Sequence, residues 1–98
     1  MYIVMNQFTL APEMGEKFEA RWAERNSHLK SVPGFMRFRL LKGDDTHYSS
    51  YVEWESEAHF EEWTTSEAFR KAHANAAPKE MFAGPPRLQC WEVIREEA

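Results

Sequence analysis

Met1 to Leu10 alternates as a β-strand, yet both of its faces begin apolar. Tyr2, Val4, Phe8 and Leu10 fall on one face with Asn6 among them, and Ile3, Met5, Gln7 and Thr9 fall on the other. Such a strand wants cover on two sides, and a single layer of helices supplies one. Asn6 adds a second demand. A carboxamide on an otherwise apolar face costs roughly 1–3 kcal/mol unless its hydrogen bonds are met. Three solutions are open. Backbone or a buried water satisfies the side chain, the strand twists it to an edge, or it points a donor into a cavity.

Ala11-Pro12-Glu13 ends this strand and starts a helix, with Pro12, Glu13 and Glu16 suited to a first turn. The helix is predicted to run to about Ser31. Met14, Phe18, Trp22, Arg25 and Leu29 recur at helical spacing, the stripe of a helix that packs on a sheet. Arg21, Arg25 and His28 form a cationic line beside it. That line is either a solvated face, its arginine stems shielding the core edge, or a site for carboxylates. Val32-Pro33-Gly34 breaks the helix. Phe35 to Lys42 is the second predicted strand, with Met36, Phe38 and Leu40 on one face and Phe35, Arg37, Arg39 and Leu41 on the other. A Gly43-Asp44-Asp45-Thr46 turn leads to the third strand, His47 to Glu55.

Ser56 is the predicted cap of the next helix, which carries Phe60 and Trp63. Thr64-Thr65-Ser66 interrupts it, and Ser66 followed by Glu67 restarts a short helix that holds Phe69 and reaches His73. The resulting kink lets Trp63 and His73 lean over one hollow. Taken singly, Trp63 reads as a core filler and His73 as a surface group or as a ligand to a metal or haem, since neutral imidazole is the commonest protein ligand. Lys79 to Arg87 is a loop, and Leu88 to Ile94 the last strand.

The order is βαββαβ, an α+β ferredoxin-like fold with an antiparallel sheet, in one domain over residues 1–98. Helices cover one face. Ile3, Met5, Phe35, Leu41, Tyr51, Trp91 and Val93 remain on the other, too large an apolar patch to leave in water. A twofold homodimer, sheet packed on sheet, is the simplest cover. An aromatic content of 14% fits either a core of large residues or an aromatic-lined cavity. With a net charge of −4 and no basic patch, nucleic-acid binding has no electrostatic support. Cys90 is the only cysteine, so no internal disulfide forms. The apolar start stops at Asn6 without a basic leader, so no membrane span and a cytoplasmic location are expected.

Asn6 with Gln7-Phe8-Thr9-Leu10, the segment Val32-Pro33-Gly34-Phe35, Val52-Glu53-Trp54-Glu55-Ser56, and Trp63 with His73 ten residues on resemble the antibiotic-biosynthesis-monooxygenase superfamily, and more narrowly its IsdG-type haem-degrading branch. The resemblance covers almost the whole chain. Its Pro-Gly-Phe and Trp-Glu-Ser elements mark the fold, and the Asn, Trp and His set carries the specificity. It implies a dimeric α/β barrel with Asn6, Trp63 and His73 as the catalytic set. His73 would be the proximal ligand to the haem iron, Asn6 would hydrogen-bond on the distal side, and Trp63 would press the macrocycle out of plane. Arg21, Trp22 and Arg25 match a helix segment of the branch, which implies pocket or propionate contacts. Val4, Phe8, Trp63 and Phe69 would line the cavity.

On this resemblance haem is both prosthetic group and substrate, opened with oxygen so that iron is released. The chain has no nucleotide-binding fingerprint, so electrons would come from a separate reductase or a small reductant. Two other functions suit the same fold: a cofactor-free monooxygenase acting on a quinol or aromatic polyketide, and a non-enzymatic haem-binding module.

Overall fold

The doubly apolar N-terminal segment becomes an interior strand of the sheet. In the computed structural model, which describes residues 1–24, 28–74 and 77–98, β1 (Tyr2–Thr9) pairs on both edges. The elements that follow are α1 (Gly15–Glu24), β2 (Phe35–Asp44), β3 (His47–Trp54), α2 (Glu57–Thr64), α3 (Glu67–Ala72) and β4 (Arg87–Glu92). The strands run antiparallel in the order β2-β3-β1-β4. The sheet is open and does not close into a barrel within one chain. Among the described residues no helix is long and apolar enough to cross a membrane.

Two apolar clusters fill the space between sheet and helices. One joins Val4, Leu29, Val52 and Trp54, with Phe35, Phe38, Phe60 and Trp63 packed against them. The other joins Leu10, Phe18, Tyr48 and Met81, with Phe8, Met14, Trp22 and Leu40 around them. Along the helix-facing side of β1, Val4 belongs to the first cluster and Phe8 to the second. Asn6 lies between those two positions, at the seam.

The long first helix is not what forms. Pro12 and Glu13 make a turn, Glu13 sits at φ 68, and α1 begins only at Gly15. It ends at Glu24, His28 is left-handed at φ 59, and Leu29–Ser31 is a separate 3-10 turn. A left-handed residue cannot sit inside a helix, so no single helix runs from Ala11 through to Ser31. Phe18 and Leu29 are nonetheless both buried, as the stripe requires. Arg25 lies outside the described residues.

A bulge corrects the reading of β2. Phe35 pairs with Trp54 and Arg37 with Glu53, so Met36 is the extra residue. Phe35 therefore turns to the helix side and packs on Trp54 with ring centroids 6.0 Å apart, while Met36 is 47% exposed. Strict alternation assigns both residues to the wrong face. On the helix-free face, Tyr51 donates to Glu53, Arg39 lies over the Tyr51 ring at 5.6 Å, and Arg37 approaches Glu53 at 3.9 Å.

Both expected helix caps are present. The Ser56 hydroxyl accepts from the His59 N–H, and that of Ser66 from the Phe69 N–H. Gly34 has φ 84, and a Cβ there would stand 2.3 Å from the His59 ring. The bare glycine thus lets α2 settle onto the start of β2. In the β2–β3 turn, Asp44 accepts from the Thr46 N–H at 2.8 Å, from the Thr46 hydroxyl at 3.0 Å and from His47 Nδ1 at 2.9 Å. These bonds, the backbone one foremost, hold its carboxyl at about 2 instead of 3.8.

Gly34→Ala should lose about 2–4 kcal/mol of stability from the left-handed strain and the clash. Adding His59→Ala should restore only the part due to the clash, as read by denaturant melts. Asp44 is a carboxylate with a depressed pKa, so its stabilisation is full above the unfolded value and fades as pH falls through about 2. The melting temperature of Asp44→Ala should lie below that of the parent at neutral pH, and the gap should close towards pH 2.

Candidate functional site

The break between α2 and α3 is made by hydroxyls. Thr64, Thr65 and Ser66 each donate to the carbonyl three residues earlier, on Glu61, Glu62 and Trp63. These bonds close off the last turn of α2, and Ser66 then caps α3. The chain turns at that point, so residues ten apart become neighbours. Trp63 and Phe69 meet edge to face at 4.8 Å, Phe69 and His73 lie 4.1 Å apart, and Trp63 and His73 lie 5.9 Å apart. Behind Trp63, at 5.4 Å, stands Trp54, which is 0% exposed. The indole N–H groups of Trp54 and Trp63 are both buried without a partner.

His73 is the C-cap of α3, and its side chain is exposed. Its Nδ1 lies 2.8 Å from the Phe69 carbonyl oxygen. A carbonyl only accepts, so Nδ1 carries the proton and the neutral ring keeps its lone pair on Nε2. Metal-binding histidines are commonly oriented in this way.

The carboxamide oxygen of Asn6 is buried and has no hydrogen-bond partner. Its cross-strand neighbours on the same face are Ser50, which is buried, and Leu88, which is 60% exposed. The second cluster brings Trp22 to the other side of the seam. Its ring stacks on Phe38 at 5.4 Å and lies 6.2 Å from Phe8. Arg21 is exposed in the last turn of α1.

Trp63, Phe69 and His73 are therefore brought together in one aromatic cluster. Asn6 is linked to it through Val4, whose core cluster Trp63 packs against. Trp22 joins the opposite cluster through Phe8 and Phe18, and its stack on Phe38 touches the first. Two residues escaped the sequence reading. Trp54 backs Trp63, and Leu88 extends the face beside Asn6 to the sheet edge. Strand alternation could have found Leu88 once the β1–β4 register was known.

The donor set restricts what can bind. Among the described residues no three histidine, cysteine, aspartate or glutamate side chains converge to hold a bare metal ion. A metal that brings its own four equatorial donors needs only one imidazole. The aromatic wall and the orphaned amide fit a flat, largely apolar guest of that kind. Asn6→Leu should raise the stability of the ligand-free protein by about 1 kcal/mol, since it removes a buried acceptor that nothing satisfies. Thermal melts of the two ligand-free proteins check this.

Residues 1–75 match the family model described as antibiotic biosynthesis monooxygenase. A staphylobilin-producing haem oxygenase of Staphylococcus haemolyticus is 33% identical over 79 residues, 76% of this chain and 75% of that one. A mycobilin-producing haem oxygenase of Mycobacterium tuberculosis is 30% identical over 95 residues, 94% of this chain and 88% of that one. The solved structure of the haem-degrader MhuD from Mycobacterium tuberculosis, with two haems bound in its active site, superposes with a TM-score of 0.79 at 26% identity over 100% of both chains.

Proposed function

The chain belongs to the antibiotic biosynthesis monooxygenase family and to its haem-degrading branch, and from that premise we propose that it binds haem and degrades it as an oxygen-dependent monooxygenase. The observation that carries this reading is the carboxamide oxygen of Asn6, buried without a partner between the two core clusters. A stable fold gains nothing from that orphaned group, and a site gains a hydrogen-bonding residue.

Haem, when bound, supplies the iron at which oxygen is activated and the ring that is opened. His73 would hold the haem iron through Nε2. The Nδ1 bond to the Phe69 carbonyl fixes its tautomer and makes Nε2 a better donor. Phe69 and Trp63 form the apolar wall. Trp63 cannot retreat, because the fully buried Trp54 stands behind it, so it presses on the guest. Asn6 would meet the guest from β1. As a neutral amide it offers a hydrogen bond without giving up a proton. Arg21, exposed in the last turn of α1, would offer a cation to a propionate, with Trp22 beside it.

Iron is released as the ring opens, and a separate reductase or a small reductant delivers the electrons. The protein works in the cytoplasm, where a reducing environment keeps exposed Cys90 a thiol. It acts as a homodimer joined through its helix-free sheet faces.

Titrating haemin should give a saturable Soret shift that His73→Ala, still folded by circular dichroism, loses. Reductant under oxygen should then bleach the band and release iron. An absent shift contradicts haem binding, and a complex stable to reductant and oxygen contradicts the monooxygenase reading. Asn6→Ala should keep its haem affinity and lose about 10²-fold in turnover, the usual cost of removing one hydrogen-bond donor aimed at developing charge.

A further inference from the structure

Asn6 has a polar neighbour on its own face of the sheet. In the β1–β3 register it stands opposite Ser50, which is 8% exposed. The two residues repeat one pattern on adjacent strands. On β1, Val4 belongs to the first core cluster and Phe8 to the second. On β3, two residues to either side of Ser50, Val52 belongs to the first and Tyr48 to the second. Across the sheet the row reads Leu88, Asn6, Ser50 and Leu40, a polar pair set between two leucines. For the core alone an apolar residue would serve better at position 50, as Val52 does on the same strand.

The Asn6 oxygen lacks a donor. Around it on this face, Val4, Phe8, Val52 and Leu88 carry none in their side chains. Tyr48 donates its hydroxyl proton to Glu19. Ser50 has a proton to give. The hydroxyl of Ser49, on the other face, donates to the Ser50 carbonyl at 2.9 Å, but among the described residues the Ser50 hydroxyl itself makes no hydrogen bond. Residues directly opposite in an antiparallel pair have Cβ atoms about 4.5–5.5 Å apart. A change of χ1 rotamer brings a hydroxyl at that distance into reach of the amide.

We infer that Ser50 is a positioning residue for Asn6: with the guest seated, its hydroxyl donates to the carboxamide oxygen and turns the amino end towards the guest. This rests on the haem binding proposed above and adds a residue to it. A carboxamide has an acceptor end and a donor end of nearly the same shape, and only the donor end can serve an acceptor held by the guest. Ser50 removes that ambiguity, because the oxygen is the end that takes its proton. The oxygen is also the end already sealed inside the fold. In the guest-free protein the bond is open, and bonds of a reactive site commonly close only when the guest is in place.

Carbon monoxide on the reduced haem complex tests this, because its C–O stretch falls when a hydrogen bond is donated to it. Asn6→Ala should raise the stretch. Ser50→Ala should raise it by a smaller amount, with haem affinity unchanged and turnover reduced about tenfold. Ser50→Thr, which keeps the hydroxyl, should return the stretch to the parent value, and Ser50→Cys, a weaker donor, should fall between. In the Asn6→Ala background Ser50→Ala should add no shift. An unmoved stretch in Ser50→Ala, no rescue by threonine, or the same shift with Asn6 already removed overturns the role of Ser50 and leaves haem binding standing. A lowered stretch in Ser50→Ala also overturns it, since Ser50 would then accept from the amide. A parent that forms no carbonyl complex, or whose stretch ignores Asn6→Ala, overturns the role of Ser50 together with that of Asn6.

Discussion

A carboxamide held on an interior strand, between two apolar clusters, sets the terms for the rest of the molecule. Asn6 interrupts a run in which Val4 and Phe8 each belong to a packed core. Burial of an unsatisfied carbonyl oxygen works against folding, and the surrounding strand pairing holds it there regardless. A buried cluster lies on either side of it, and the Trp22–Phe38 stack joins the two.

The second half of the site comes from capping chemistry. Three successive hydroxyls end α2, and the last of them starts α3, so a ten-residue separation folds back into ring contact. The same short helix supplies the Phe69 carbonyl that sets the tautomer of His73. Neither effect needs the guest. The local backbone prepares the imidazole, and the core behind it, through Trp54, prepares the indole.

Much of this was legible in the sequence. Alternation placed Asn6 among apolar neighbours, Ser66 and Glu67 announced the helix restart, and the stripe through Phe18 and Leu29 marked buried positions correctly. The misses share one cause: they depend on backbone irregularities that leave the hydrophobic pattern intact. The bulge at Met36 exchanges the faces of two residues without changing their order. His28 is left-handed, so no helix runs on to Ser31, while Leu29 still finds the core. Leu88 and Trp54 acquire meaning only from register and packing, which are tertiary facts.

The sheet has two faces, the helix side with the aromatic cluster and the helix-free side. The central claim concerns the first, and a redox-inert diamagnetic guest tests it without turnover. Adding gallium protoporphyrin to labelled protein, the ring current should move the Asn6 carboxamide and the His73 imidazole more than any resonance on the helix-free face. Largest shifts at Gln7, Thr9 or Trp91, or small shifts spread evenly over the chain, would contradict a porphyrin bound at the seam.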